Sequence, residues 1–266
     1  MKRKDSNLLF ILSCAVLTFA SANANAALVF NTNVILDPGA EDAVGSVKND
    51  TVVPVPFWTL TAGNFTAVKY LNDPNVIGVP QLTDPGPPNR GVNLFAGGPN
   101  GNPNQPNFIS SADQILDISN AAASIDTGLI PFDLSGYLGG FFDQRDNATF
   151  TAFFNNGMTT LGSSTLGPVL LADRTFNGVP VTGLFFRSAT GFIPSGTRQI
   201  DFRIVSNGID GAQNDGYLDN LSFIARGPAA VPEPGSMGLI AAGLAGLGFY
   251  WRRKGRSSQN GQPSSI

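Results

Sequence analysis

Residues 199–205 read Gln199-Ile200-Asp201-Phe202-Arg203-Ile204-Val205. Ile200, Phe202 and Ile204 share one parity, and Asp201 and Arg203 share the other. A β-strand sends successive side chains to opposite faces, so this pattern describes a strand with one buried and one wet face, as in an antiparallel sheet. Comparable short runs recur along the chain: Phe65 to Val68, Gln114 to Ile118, Ala148 to Phe154, Gly183 to Arg187 and Tyr217 to Ala225. Turn residues (Gly, Asn, Asp, Pro) separate them, and runs of this length and spacing predict an all-β sandwich. Composition agrees. Between residues 27 and 226 the only lysines are Lys48 and Lys69 and the only glutamate is Glu41, so good helix formers are scarce. No repeat of 20–50 residues is present.

Two stretches break the pattern. Asp84 to Asn107 is rich in Gly, Pro and Asn and predicts a long exposed loop with a strand only over Gly91 to Phe95. Residues 227–235 form a Pro/Ala linker that closes the domain. The body is therefore residues 27–226, long enough for one domain with its own core.

The chain ends carry a different message. Lys2, Arg3 and Lys4 precede an apolar run from Leu8 to Ala20, and Ala24-Asn25-Ala26 follows. This order predicts a secretory signal peptide over 1–26, with Ala27 as the mature start. Only a handful of apolar residues precede Ser13-Cys14, which sets a lipoprotein site aside. At the other end no residue from Met237 to Trp251 is charged. A helix of that length spans about 22 Å, and Gly235 and Ser236 can lengthen it toward the ~30 Å hydrocarbon core. Tyr250 and Trp251 suit the membrane interface, and Arg252, Arg253, Lys254 and Arg256 hold the following segment on the cytoplasmic side. A buried core helix ending in a basic turn is the alternative. The run is apolar on every face and follows a Pro-rich linker, so a short transmembrane helix within 236–256 is the reading adopted, with 257–266 as a polar cytoplasmic tail. With both basic clusters inside, the body passes the inner membrane through the general secretory translocon.

Val231-Pro232-Glu233-Pro234, then a short Gly/Ala/Leu span, then Arg252-Arg253-Lys254, resembles the PEP-CTERM sorting signal of Gram-negative bacteria. The resemblance implies recognition by an exosortase-type membrane protease, transient membrane anchoring, and sorting to the cell surface or beyond. The polar tail Ser257 to Ile266 departs from the pattern, since such signals usually stop soon after the basic cluster.

The body carries nine Lys/Arg against seventeen Asp/Glu, a net charge of −8. That argues against DNA, RNA and anionic lipid as partners, because phosphate binding rests on clustered Lys and Arg. The single cysteine, Cys14, leaves with the signal peptide, so the body has no internal disulfide.

Asp37-Pro38-Gly39-Ala40-Glu41 is similar to the opening of galactose-binding-like jelly rolls. Trp58-Thr59 with Gly63-Asn64-Phe65 matches their next strands, and Asn214-Asp215-Gly216-Tyr217-Leu218-Asp219-Asn220-Leu221-Ser222-Phe223 resembles their closing strand. Leu138-Gly139-Gly140 through Asp143, Asp146-Asn147 and Gly196-Thr197-Arg198 fall where exported bacterial relatives carry similar words. The resemblance implies a jelly-roll β-sandwich over most of residues 29–225. It also implies a structural Ca²⁺ held by Glu41 and Asp219, with Asp37 and Asp42 as further oxygen donors. Ca²⁺ takes six to eight oxygens, and two acids from opposite chain ends would clip the termini together. Solvated strand-end acids are the ordinary alternative.

Other motifs carry less. Asp210 to Asp219 fails the register of an EF-hand, because placing Gly216 at the sixth position puts Gly211 at the first; it reads as a turn entering a strand. Asp143 and Asp146 flank Arg145, which suggests a solvated loop with a local ion pair rather than an acid–base couple. The chain has no histidine, and neither Lys48 nor Lys69 sits in a Ser-x-x-Lys. Triads of the Ser-His-Asp and Cys-His type and His-ligated metals are thereby removed, and the sequence predicts a non-enzymatic protein. Sugar binding needs aromatic platforms beside hydrogen-bonding groups. Trp58 reads as core packing, which leaves Tyr70, Tyr137 and Tyr217 as candidates. The Phe141-Phe142, Phe153-Phe154 and Phe185-Phe186 doublets place one ring on each sheet face. The sequence thus describes an exported, structural or adhesive surface protein associated with exopolysaccharide, or alternatively a carbohydrate-binding module recognising an envelope or extracellular polysaccharide.

Overall fold

The computed structural model describes residues 27–73, 75, 76, 78–100 and 108–227. The signal peptide with Ala24 and Ala26, the Val231–Pro234 motif, the apolar span, Arg252, Arg253 and Lys254 lie outside the described residues. Among the described residues no helix is long and apolar enough to cross a membrane.

Two antiparallel sheets face each other. The first runs β1 (Thr59–Ala62), β4 (Phe108–Asp117), β11 (Gln199–Gly208), β6 (Asn147–Asn155) and β7 (Thr160–Leu166). The second runs β10 (Gly183–Phe192), β5 (Pro131–Gly140), β12 (Gln213–Ala225), β3 (Asn93–Pro99) and β2 (Thr66–Lys69). A two-stranded hairpin, β8 (Thr175–Phe176) with β9 (Val179–Pro180), turns at Asn177-Gly178, both with positive φ, as a tight two-residue turn requires. The chain is the all-β sandwich that its alternating runs describe, with the jelly-roll layout that the resemblance implies.

The alternation of β11 is realised residue by residue. Ile200, Phe202 and Ile204 are completely buried in the main core, and Phe202 meets Phe223 of β12 across the sandwich at 5.3 Å. Phe223 also stacks on Phe132 of β5 at 5.2 Å, and Phe132 contacts Phe154 of β6 at the same distance. These four rings join both sheets at the centre of the core. Burying each contributes about 1.5–3 kcal/mol. Trp58 is 8 % exposed and packs edge-on against Phe95, as core packing requires.

A second apolar cluster joins Val68, Tyr70, Val79, Leu94, Ala96, Leu184 and Tyr217. Their neighbours Ala67, Phe95 and Leu218 belong to the main core. Adjacent strand residues point to opposite faces, so this cluster sits on the outer face of the second sheet, beneath the segment 70–92. The strand expected over Gly91 to Phe95 runs instead over Asn93–Pro99, which shortens the expected exposed loop; residues 101–107 lie outside the described residues. The first six residues of β3 are buried, because the main core covers one face and segment 70–92 covers the other.

Backbone hydrogen bonds tie the two ends of the body together. Asn31 donates to the carbonyl of Ala225, Val34 to that of Phe223, and Leu221 to that of Pro38, while Ala27 forms a bridge with Asp117. These bonds close residues 27–227 into one sandwich around a shared apolar core.

Candidate functional site

The outer face of the first sheet collects the polar parity of its strands. One register row crosses all five strands: Thr59, Asp113, Arg203, Thr151 and Thr165. The adjacent row carries Ile115, Asp201, Phe153 and Ser163. At the centre, Arg203 forks Asp113, with Nε donating to Oδ1 at 2.8 Å and Nη2 to Oδ2 at 2.7 Å. Nη2 also reaches Asp201 Oδ2 at 3.4 Å, and the guanidinium lies 5.4 Å from the centre of the Phe153 ring. A guanidinium held by two carboxylates and an aromatic face is rigid, because its fork geometry is fixed.

Asp201 is the least satisfied member of this group. Its Oδ1 is buried and without a hydrogen-bond partner. Burial, then the charge of Asp113, pushes its carboxyl above the ordinary carboxylate range. The bond to Asp113 raises the Arg203 guanidinium in turn. An unpaired buried acceptor carries a desolvation cost. Beside it stand the Thr151 and Thr165 hydroxyls, 3.0 Å apart. The face therefore gathers a fixed cation over an aromatic ring, two carboxylates and hydroxyls within two rows.

The predicted metal residues are brought together only in part. Asp219 is completely buried; its Oδ2 accepts from the Tyr70 hydroxyl at 2.7 Å and its Oδ1 from the Asn220 amide at 2.7 Å. Burial pushes its carboxyl up to about 7, and the charge of Glu41 adds to the rise. Glu41 accepts the amides of Val92 and Asn93 at 2.9 Å, and a side chain at Gly91 would collide with its carboxylate. Asp37 accepts the Asp42 amide through Oδ1 at 3.2 Å, while its Oδ2 is buried without a partner. Among the described residues no three acids gather as a metal cluster. The oxygen-only donor set and the orphaned Asp37 oxygen fit a hard cation whose remaining ligands are backbone carbonyls and water.

The tyrosine candidates divide. Tyr217 is completely buried and Tyr70 is 5 % exposed, so neither presents a face to a sugar, a correction to the expectation of exposed platforms. Both serve instead as buried donors: Tyr70 to Asp219, and Tyr217 to Asp215 Oδ1 at 2.8 Å. Tyr137 stays half-buried on the outer face of the second sheet, edge-on to Phe186 at 5.4 Å. The expected Asp143–Arg145–Asp146 loop is also rearranged. Arg145 pairs with Asp210 at 2.6 Å, and Asp146 is buried, accepting the amides of Ile209, Asp210 and Asp215. An open, largely apolar groove of about 720 Å³ lies beside it, lined by residues including Arg145, Leu170 and Ile209.

Sequence reasoning saw Asp201 and Arg203 only as wet-face markers. The partner acid Asp113 is ninety residues away, and only the sheet register brings it to Arg203.

Residues 230–254 match the PEP-CTERM protein-sorting motif. The chain therefore carries the C-terminal sorting signal of an exported protein. No curated protein matches the sequence. Among solved structures, the chain resembles TmCBM61 in complex with β-1,4-galactotriose, at 13 % identity over 73 % of this chain and 99 % of that one, with a TM-score of 0.41. A cyclase from Fischerella sp. TAU aligns at 13 % identity over 75 % and 99 %, with a TM-score of 0.46. Family 16 Carbohydrate Binding Module-2 aligns at 11 % identity over 72 % and 99 %, with a TM-score of 0.38. Likeness at this level assigns no ligand.

Proposed function

We propose that this exported protein binds a polysaccharide outside the cell, without catalysis, through the outer face of its first sheet. The observation that carries the reading is the Phe153–Arg203–Asp113–Asp201 group, a cation fixed by two carboxylates over an aromatic ring. Sugars are recognised by aromatic faces that cover their apolar C–H surface and by fixed polar groups that pair with their hydroxyls. Three acids on this face, Asp113, Asp117 and Asp201, against one guanidinium favour a neutral polymer over a uronic acid. Arg203 binds both Asp113 and Asp201, which makes them parts of one fork rather than an acid–base pair across a bond. Export by the general secretory route, handling by an exosortase-type protease at the Val231–Pro234 motif, and release to the surface or exopolysaccharide matrix complete the reading; a structural or adhesive role follows from binding there.

The test is affinity electrophoresis of residues 27–227 in gels containing neutral or acidic polysaccharides. Retardation by a neutral polymer, lost in Phe153→Ala and Arg203→Ala, is the expected result. Equal migration in every gel, or retardation unchanged in both variants, overturns it.

A second proposal is a structural Ca²⁺ at Glu41 and Asp219, with Asp37 and Asp42 as nearby donors. The orphaned Asp37 oxygen and the charge of Glu41 beside the buried Asp219 support it.

A further inference from the structure

We propose that strand β10 is a self-pairing edge, through which two copies of the chain join their second sheets into one continuous ten-stranded sheet. The four sheet edges differ in how they are guarded. β1 has four residues and a register break between Leu60 and Ala62. β2 has four, and its free side is occupied by residues 46–53, with Ser46 donating to Ala67, Lys69 to Ser46 and Ala67 to Val53. β7 has seven, with its register broken against β6. β10 alone has ten residues paired without a break; it contains no Pro, and its one charge, Arg187, is taken up by Asp173 at 3.4 Å. Edges of that kind are templates for another strand unless a bulge, a charge or a cover protects them.

The direction of the free backbone groups is set by parity. Ile193 donates toward β5, to the carbonyl of Ile130, whereas Leu184 donates the other way, to the carbonyl of Pro85. The amides of Phe186, Ser188, Thr190 and Phe192 therefore point away from the sheet, and among the described residues they have no backbone partner. Of their carbonyls, that of Phe186 meets the Arg187 guanidinium at 3.1 Å. The same four residues have exposed side chains, all on the outer face of the sheet.

These residues are self-complementary. An antiparallel two-fold centred on Ala189 sets Phe186 against Phe192 of the second copy and Ser188 against Thr190, each as a hydrogen-bonded pair. Phe186 and Phe192 are 53 % and 61 % exposed in one copy, and the pairing covers both. Because Phe186 lies beside Tyr137 and Phe192 beside Pro131 in the register, each junction completes a row of Tyr137, Phe186, and the second copy's Phe192 and Pro131. Aromatic cross-strand pairs of this kind stabilise a ladder. The body charge of −8 opposes association, so dimerisation strengthens with salt.

Sedimentation velocity on residues 27–227, over roughly two decades of concentration up to about 1 mM, tests the proposal. A monomer–dimer equilibrium is expected for the wild type. Ser188→Pro removes one outward amide that has no backbone partner in the monomer, and is expected to weaken dimerisation ~10-fold or more. The double variant Phe186→Lys/Phe192→Lys is expected to be monomeric. Phe186→Glu/Phe192→Lys is expected to dimerise again, because the centred register pairs opposite charges. Circular dichroism and melting checks that each variant folds. A wild type that stays monomeric, a dimer indifferent to Ser188→Pro, or a Glu/Lys variant no better than Lys/Lys overturns the proposal.

Discussion

Asp215 gives the sharpest test of the buried electrostatics. The residue is 2 % exposed. Its Oδ1 accepts from Asn49 and Tyr217, each at 2.8 Å, and Asp146 and Arg174 are the charges nearest to it. Burial pushes its carboxyl from the ordinary 3.8 up to about 6, and the bonds from Asn49 and Tyr217 only partly offset that rise. In the unfolded chain the group loses its proton near pH 4; in the folded chain it holds it until about pH 6. Between those values the native state binds more protons, so stability falls as pH rises. A shift of about two units corresponds to about 3 kcal/mol. Other buried acids, among them Asp146 and Asp201, are shifted in the same direction and steepen the wild-type profile. Asp215→Asn removes one group from that sum and keeps an oxygen for Asn49 and Tyr217. Urea unfolding of both proteins from pH 4 to pH 8 gives the difference directly. Wild-type stability minus variant stability should fall by about 3 kcal/mol between pH 4 and pH 7 and then level off. Parallel profiles, or a difference that grows with pH, would refute the assignment of a raised Asp215.

Three further outcomes are expected. Arg174→Met leaves the carbonyls of Phe142, Val181 and Gln144 without their guanidinium donor, and Asp146 and Asp215 without their buried cation; a loss of about 3–5 kcal/mol in urea unfolding is expected. Phe223→Ala removes the ring that touches Phe132, Phe154 and Phe202, with a cost of about 3–5 kcal/mol by the same measurement. A calcium titration of thermal unfolding should raise the melting temperature of residues 27–227 but not of Glu41→Ala or Asp219→Ala, with a gain of about 2.7 kcal/mol at a hundredfold excess over Kd; no response in the wild type removes the metal site.

The strands legible in the sequence are those with one wet face. β11 and β6 alternate because one parity meets the core and the other meets solvent. β3 was half-read because both its faces are covered, which erases the period of two. β7 was missed for the opposite reason: of its seven residues only Leu166 is buried, so nothing apolar marks it. In β5 the alternation of Phe132, Leu134 and Leu138 was present, but Gly136, Gly139 and Gly140 imitate a turn. Those glycines are demanded by packing: a side chain at Gly139 would collide with the Gly183 backbone, and one at Gly136 would stand 2.8 Å from Leu221. Tyr70 and Tyr217 looked like platforms because local sequence cannot show that segment 70–92 folds back over them. Asp113 and Arg203 could be paired only after the register of β4 against β11 was fixed.

The two proposals constrain each other geometrically. In the β10-paired dimer, outer-face residues pair only with outer-face residues, so both copies present the inner face of the continuous sheet on the same side. Each first sheet packs on that side, and the two Phe153–Arg203 faces therefore point the same way. A polymer repeats its binding unit and can engage both faces, whereas a short oligosaccharide engages one. Linking two sites in this manner raises apparent affinity by about 10²–10⁴ when the ligand spans them. Ser188→Pro lies on the second sheet and leaves the first-sheet face intact. It should weaken retention on immobilised polysaccharide at least ~10-fold while leaving the affinity for an oligosaccharide of the same sugar unchanged in calorimetry. Equal retention of variant and wild type would sever the link between the edge and the binding face, even with each proposal standing on its own test.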